Sequence, residues 1–225
     1  MRNYFLFILI ITSSTLALAQ NSSISSLKNK LEGSEQSVVE YNDIIGSPFR
    51  YEEFKKSEVY LKLNDGPIDY ILNYDAYKDQ MEYIENDVTY AVTNPNQIKK
   101  ILINNEVFIY TNYYNFDIVK EGYFIEIISD YISLYKKEII SSVSTKSSNY
   151  NNRPGQVRFV KAKPTYYISI YGDPLHLIKN KKKLLSLFFN KPEVEDFIKE
   201  KKIKLNSEDD LKEFVTFLND YDKKR

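Results

Sequence analysis

Between Glu58 and Ile128, seven short runs of alternating apolar and polar residues follow one another, each closed by a turn signal. A side-chain period of two lines opposite faces of a strand, so a row of such runs calls for a sheet with one face buried. The first pair is the clearest. Val59, Leu61 and Leu63 alternate with Tyr60 and Lys62, Asn64-Asp65-Gly66 breaks the run, and Ile68 to Tyr74 follows. Asp-Gly between two extended runs favours φ > 0 and marks a hairpin. Pro67 suits the first residue of a strand, where a ladder donor can be missing. Lys78 to Glu85, with Met81 and Tyr83 on one face, turns at Asn86-Asp87 into Val88 to Val92. Thr93-Asn94-Pro95-Asn96 breaks the pattern again. Ile98 to Ile103 then leads through Asn104-Asn105-Glu106 into Val107 to Thr111. The alternation weakens from Asn112 to Glu121, which predicts a longer connection; Gly122 to Ile128 and Ile132 to Val143 extend the array. Val, Ile, Tyr, Phe and Thr dominate these runs and suit a pleated, half-buried surface.

Ser141 to Gln156 is rich in Ser and Asn and contains Arg153-Pro154-Gly155, which predicts a mobile surface loop over 141–156. Val157-Arg158-Phe159 resumes the sheet, Thr165 to Tyr171 alternates up to Gly172-Asp173-Pro174, and Leu175 to Ile178 completes a last hairpin. At Asn180 the period changes. Leu184, Leu187 and Phe188 fall at i, i+3, i+4, and Val194, Phe197 and Ile198 repeat that spacing behind Pro192 at a first helical turn. Ser207 is placed to cap a third helix, with Glu208, Asp209 and Asp210 in its first turn and Leu211, Phe214, Val215 and Leu218 as its stripe. The expected fold is α+β: an antiparallel β-meander forming a twisted sheet or partly closed barrel, followed by three short C-terminal α-helices. A sandwich is the alternative.

The N-terminus reads as an address label. Arg2 is a short positive region, Tyr4 to Ile11 an apolar one extended weakly through Leu16, and Ala17-Leu18-Ala19 a small-x-small cleavage site. The apolar run is shorter than the roughly 20 residues a membrane span needs. A signal peptide over 1–19, cleaved after Ala19, predicts a secreted protein, periplasmic or extracellular, with no transmembrane segment after cleavage. Residues 20–45 then read as a flexible linker, 46–178 as the β domain and 179–221 as a helical segment packed on it. The chain has no cysteine, so packing alone must hold it. Its 31 basic and 31 acidic residues give no global reason to expect nucleic acid as a partner. The balance hides an asymmetry: residues 32–87 hold 14 acidic against 5 basic side chains, and residues 136–204 hold 16 basic against 6 acidic. Pairing between the two regions within one domain is the expectation. The 20 tyrosines suit sheet surface and core, where a ring can bury its body and keep its hydroxyl wet; a second reading is an aromatic face for stacking sugars or peptides.

Chemistry-bearing motifs are sparse. The single histidine, His176, would have to serve any Ser-His-Asp site, and no Gly-x-Ser-x-Gly elbow accompanies it. One His and no Cys argue against zinc or copper. Asn64-Asp65-Gly66 with Asp69 is oxygen-rich but is explained by the hairpin, and phosphate-loop glycine patterns are missing from the sequence. Glu52, Glu53, Glu82 and Glu126 are available carboxylates for a glycosidase pair, with nothing to single them out. Lys179, Lys181, Lys182 and Lys183 form the densest basic cluster, read as a solvated helix start or a contact for an anionic surface.

Gly46-Ser47-Pro48-Phe49 with Phe54, the Asp65-Gly66 hairpin, Met81-Glu82-Tyr83, Gly122-Tyr123-Phe124 and the tail from Leu184-Leu185 through Phe197-Ile198-Lys199 to Glu208-Asp209-Asp210-Leu211 resemble secreted proteins of unassigned function from Bacteroidota. The resemblance spans roughly Gly46 to Tyr221. It implies an envelope or extracellular location and carries no reaction, cofactor or site. The expected function is that of a non-enzymatic binding or structural module of the cell envelope, with no catalytic, cofactor-binding or metal residues and no cofactor. Its partner is an unknown envelope protein, peptide or glycan. The alternative is a carrier holding an apolar small molecule in a partly closed β-barrel.

Overall fold

Two sheets and a helical tail make up the computed structural model, which describes residues 41, 44–64, 66–144 and 156–223. The expected signal peptide, linker residues 20–40, Asp65 and loop residues 145–155 lie outside the described residues. The strands are β1 (Ile44–Ile45), β2 (Lys55–Leu61), β3 (Pro67–Asp75), β4 (Gln80–Glu85), β5 (Val88–Ala91), β6 (Ile98–Ile103), β7 (Glu106–Asn115), β8 (Ile118–Ile128), β9 (Ile132–Lys137), β10 (Ile140–Ser144), β11 (Val157–Lys161), β12 (Thr165–Ile170) and β13 (His176–Leu177). The helices are α1 (Lys181–Leu187), α2 (Pro192–Glu200) and α3 (Glu208–Lys223). Ten strands form one sheet in the order β13-β12-β9-β8-β7-β6-β2-β3-β4-β5, and β1-β11-β10 form a small second one. Every strand pair of the large sheet is antiparallel, so the chain is α+β, an antiparallel sheet curled into a half-barrel and followed by three helices.

Turn chemistry explains the hairpins. Asn86 and Asp87 take φ of 50° and 62°, and Asn104 and Asn105 take 49° and 66°. Two successive left-handed residues match the twist of flanking strands, and Asn and Asp tolerate that region best after Gly.

The curl follows from which rings touch. Tyr74 of β3 lies 5.5 Å from Phe108 of β7 and 6.0 Å from Tyr123 of β8, although β2 and β6 stand between these strands in the sheet. The face carrying Val59, Leu72, Tyr74, Met81, Ile101 and Phe108 is therefore concave and filled by its own side chains. The register continues this face across β9 and β12, where Ile132, Leu134 and Ile168 pack under the helices with Leu184, Val194, Leu211, Phe214 and Val215. The opposite face folds on itself at the other end. Phe124 of β8 lies 4.9 Å from Tyr167 of β12, and a bridge from Tyr113 to Leu175 brings the chain at β13 back against β7.

Asn219 fixes the tail to the sheet. Its side-chain oxygen accepts from Ile132 N at 2.9 Å, and its amide donates to Ile132 O at 2.8 Å and Val215 O at 3.1 Å. Asn219→Ala would leave both backbone groups of Ile132 without this partner in a buried place. At about 1–3 kcal/mol per orphaned group, a loss of about 2–6 kcal/mol is expected in urea unfolding. Unchanged stability would show that water takes over the role.

Two partly buried ion networks tie the curl together. Arg50 donates from Nη2 to Glu106 Oε1 at 2.6 Å and from Nε to Glu106 Oε2 at 3.1 Å, and it pairs with Glu138. Lys161 of β11 reaches Glu138 at 2.8 Å. Burial pushes the Glu138 carboxyl up, but hydrogen bonds from Arg50 and Lys161 hold it below the ordinary range. Lys137 Nζ meets Asp79 Oδ2 at 2.6 Å, one pair that joins the acidic and basic regions of the chain.

Four boundaries differ from the expectations. Ile44–Ile45, assigned to the linker, pairs in parallel with Val157 and Arg158. Ser141–Ser144, assigned to the loop, pairs with Val157 to Val160 through backbone groups alone, a contact its side chains do not advertise. Ile132 to Val143 is two strands in different sheets rather than one run. The long connection expected at Asn112 to Glu121 is instead a hairpin paired from Val107↔Glu126 to Asn115↔Ile118, turning at Phe116-Asp117 with Phe116 at φ 55°.

Candidate functional site

An open groove lies on the outer face of β2, β3, β4 and β6. Register places Glu58 between Asp69 and Leu102, and Lys56 beside Ile71. These side chains point away from the filled concave side. With Ile84 of β4 and the Asn104-Asn105 turn they line an open groove of about 630 Å³. Its floor is apolar, formed by Ile71, Ile84 and Leu102, with Ile71 44% exposed. Its rim carries Glu58, Asp69 and Glu85 against a single cation, Lys56. Glu58 accepts from the Tyr60 hydroxyl at 2.5 Å, which raises the Tyr60 pKa, and Lys100 lies 4.7 Å over the Tyr60 ring.

One end of the large sheet stands beside this face. β5 is its last strand. Val92 N donates to Met81 O at 2.8 Å while Ala91 faces Glu82, so the peptide groups of Thr89 and Ala91 point away from β4. An outer strand with outward peptide groups can accept another extended chain. Apolar floor, acidic rim and strand edge together suit a cationic, extended segment.

The residues singled out by sequence are scattered. His176 lies in β13 against the Tyr114 ring at 4.7 Å, and burial lowers its pKa. Asp69 reaches the groove rim. Glu52 and Glu53 are exposed, Glu82 is fully buried in β4, and Glu126 sits in β8 opposite Val107 and Tyr135. Asn180 caps α1 by accepting from Lys183 N, and Lys181 pairs with Glu195 at 3.4 Å. Sequence reasoning did not find the groove residues Ile71, Ile84 and Leu102. They read as ordinary strand positions, and only the register shows them sharing an outer face.

No protein-family model, curated protein or solved structure matches the chain.

Proposed function

We propose that this is a secreted or periplasmic, non-enzymatic protein that serves the cell envelope as a binding module, holding an extended segment of a partner along the outer-face groove. The observation that carries the reading is the groove itself, with Ile71, Ile84 and Leu102 on its floor and Glu58 and Asp69 on its rim. The signal-like N-terminus, the resemblance to secreted proteins of Bacteroidota and a sequence without a catalytic kit support it. The concave side is filled by Tyr74, Phe108, Met81 and their neighbours, so the surface reading is preferred to a carrier of an apolar molecule.

Exported protein is expected to begin at Gln20, which N-terminal sequencing of the envelope fraction checks; a precursor retained in the cytoplasm would remove the location. Ile71→Asp combined with Leu102→Asp puts two charges beside Glu58 and Asp69 on an outer face and is expected to lower the thermal midpoint by a few degrees without unfolding the protein. The same variant should lose chemical crosslinks to envelope proteins that the wild type forms in intact cells. Crosslinking equal to wild type would remove the groove as the binding surface.

A further inference from the structure

A second concavity lies where β9 begins, β12 ends and α3 passes. Tyr131 and Tyr171 flank it, 57% and 64% exposed, with ring centroids 6.1 Å apart at 55° to one another. Their backbones are joined: Tyr171 N donates to Tyr131 O at 2.7 Å. Tyr171 has φ 53°, a left-handed conformation that a bulky side chain adopts at a cost of about 1–3 kcal/mol. Gly172 follows at φ 82°, with nothing within 4 Å of where a Cβ would stand. The Tyr171 hydroxyl donates to Asp222 of α3. Asp130 Oδ1 accepts from Tyr131 N at 2.8 Å, and Asp130 Oδ2 meets Lys223 Nζ at 2.8 Å. The space between Asp130, Tyr131, Tyr171 and Gly172 is about 480 Å³ and open to solvent.

We propose that this tyrosine cleft binds a neutral oligosaccharide. The tight turn closed by Asp173 N on Ile170 O at 3.1 Å accounts for the left-handed Tyr171 and Gly172, and it sets the Tyr171 ring beside Tyr131 with both rings more than half exposed on one cleft. A pyranose offers an apolar C–H face and a rim of hydroxyls. The C–H face packs on the electron-rich face of a tyrosine ring. The hydroxyls need acceptors beside the ring, which Asp130 supplies, and a donor, which Lys223 supplies. Two rings inclined to each other admit a sugar against one and its neighbour in the chain against the other. The carboxylates of Asp130 and Asp222 outnumber Lys223, so a polymer of acidic sugars is repelled and a neutral one is not. The site is independent of the outer-face groove and uses none of its residues.

The test uses the mature chain with cellohexaose, chitohexaose, mannohexaose and laminarihexaose as probes and oligogalacturonate as the charged control, read by titration calorimetry and saturation-transfer NMR. At least one neutral hexaose is expected to bind, with saturation transferred to its ring protons. Tyr131→Ala and Tyr171→Ala should each weaken it about tenfold. Tyr171→Phe, which keeps the ring and loses only the Asp222 bond, should stay within about threefold of wild type. Ile71→Asp with Leu102→Asp should bind the sugar as wild type does, separating this cleft from the groove. Binding by none of the four, preference for oligogalacturonate, or full binding by Tyr171→Ala overturns the proposal. So does a loss in Tyr171→Phe as large as in Tyr171→Ala.

Discussion

Lys137→Met is expected to cost about 3–5 kcal/mol of stability, the range for breaking a buried ion pair by removing one partner. The Lys137 side chain is 8% exposed. Its ammonium meets Asp79 Oδ2 at 2.6 Å and Tyr123 O at 3.1 Å, and it lies 4.4 Å over the Phe124 ring and 5.3 Å over that of Tyr113. Burial lowers its pKa, opposed by the Asp79 charge. Asp79 in turn accepts from the Tyr74 hydroxyl at 2.6 Å and from Tyr123 N at 3.2 Å. The pair therefore joins the β3–β4 turn to β8 and β9 across the mouth of the curl. Methionine fills the lysine stem but leaves the carboxylate with two neutral donors in place of a cation. A domain holds only about 5–15 kcal/mol in total, so the change would be plain in urea unfolding followed by tyrosine circular dichroism. The double variant Lys137→Met, Asp79→Asn removes both charges, keeps a residue that tolerates the φ of 58° at position 79, and should recover much of the loss, giving a coupling of at least about 1 kcal/mol. A double variant as unstable as the sum of its singles would sink the account. Gly122 reports on the same contact. A Cβ there would stand 2.5 Å from Asp79 Oδ2 and 2.8 Å from Lys137 Nζ, so any other residue would push the two charged groups from their present positions.

That glycine also shows where sequence reading succeeds and stops. Asn86-Asp87 and Asn104-Asn105 announced their hairpins, because few residues take two left-handed conformations in a row. The helical stripes from Leu184 and Leu211 were legible because the period of 3.6 is a property of neighbours. What stayed hidden depends on distant partners. β1 is two residues long and its register partners are Val157 and Arg158, so no local pattern could reveal it. Phe116 occupies a turn position that sequence normally marks with Gly or Asn, and the hairpin it closes therefore read as a long connection. Gly122-Tyr123-Phe124 was noticed as a motif, yet the reason for its glycine lies in Asp79 and Lys137. The candidate surfaces behave alike. Abundant tyrosine suggested stacking faces, but only the backbone bond between Tyr171 and Tyr131 says which two rings share a cleft. The charge asymmetry between the two regions was visible, while the particular pair that uses it was not.

Glu82 is expected to make the protein less stable as pH rises from about 4.5 to about 7. Its side chain has no exposure, and neither carboxyl oxygen has a hydrogen-bond partner among the described residues. Burial pushes its pKa up to about 7 from an ordinary 4.5, reinforced by the Asp75 carboxylate and opposed by Lys78. Asp75 is itself held by the Tyr41 hydroxyl at 2.7 Å and the backbone N–H groups of Tyr77 and Lys78 at 2.9 Å each. Between the two pKa values the unfolded chain has released the proton and the folded chain still holds it. The unfolded state then binds fewer protons, so stability falls with pH and levels off above the folded value. At ~1.36 kcal/mol per pKa unit the full effect is on the order of 3 kcal/mol. Glu82→Gln keeps the shape without the titration, so it should match wild type near pH 4 and exceed it by up to about 3 kcal/mol at pH 8. Carboxylates held low by partners, such as Glu138 and Glu208, lose their contribution as pH falls, in the opposite sense and shared by both proteins. The difference between wild type and Glu82→Gln isolates the one group. Chemical unfolding at half-unit steps from pH 4 to pH 8 reads it, and a difference that does not change with pH would mean that the Glu82 carboxyl titrates alike in the folded and unfolded chain.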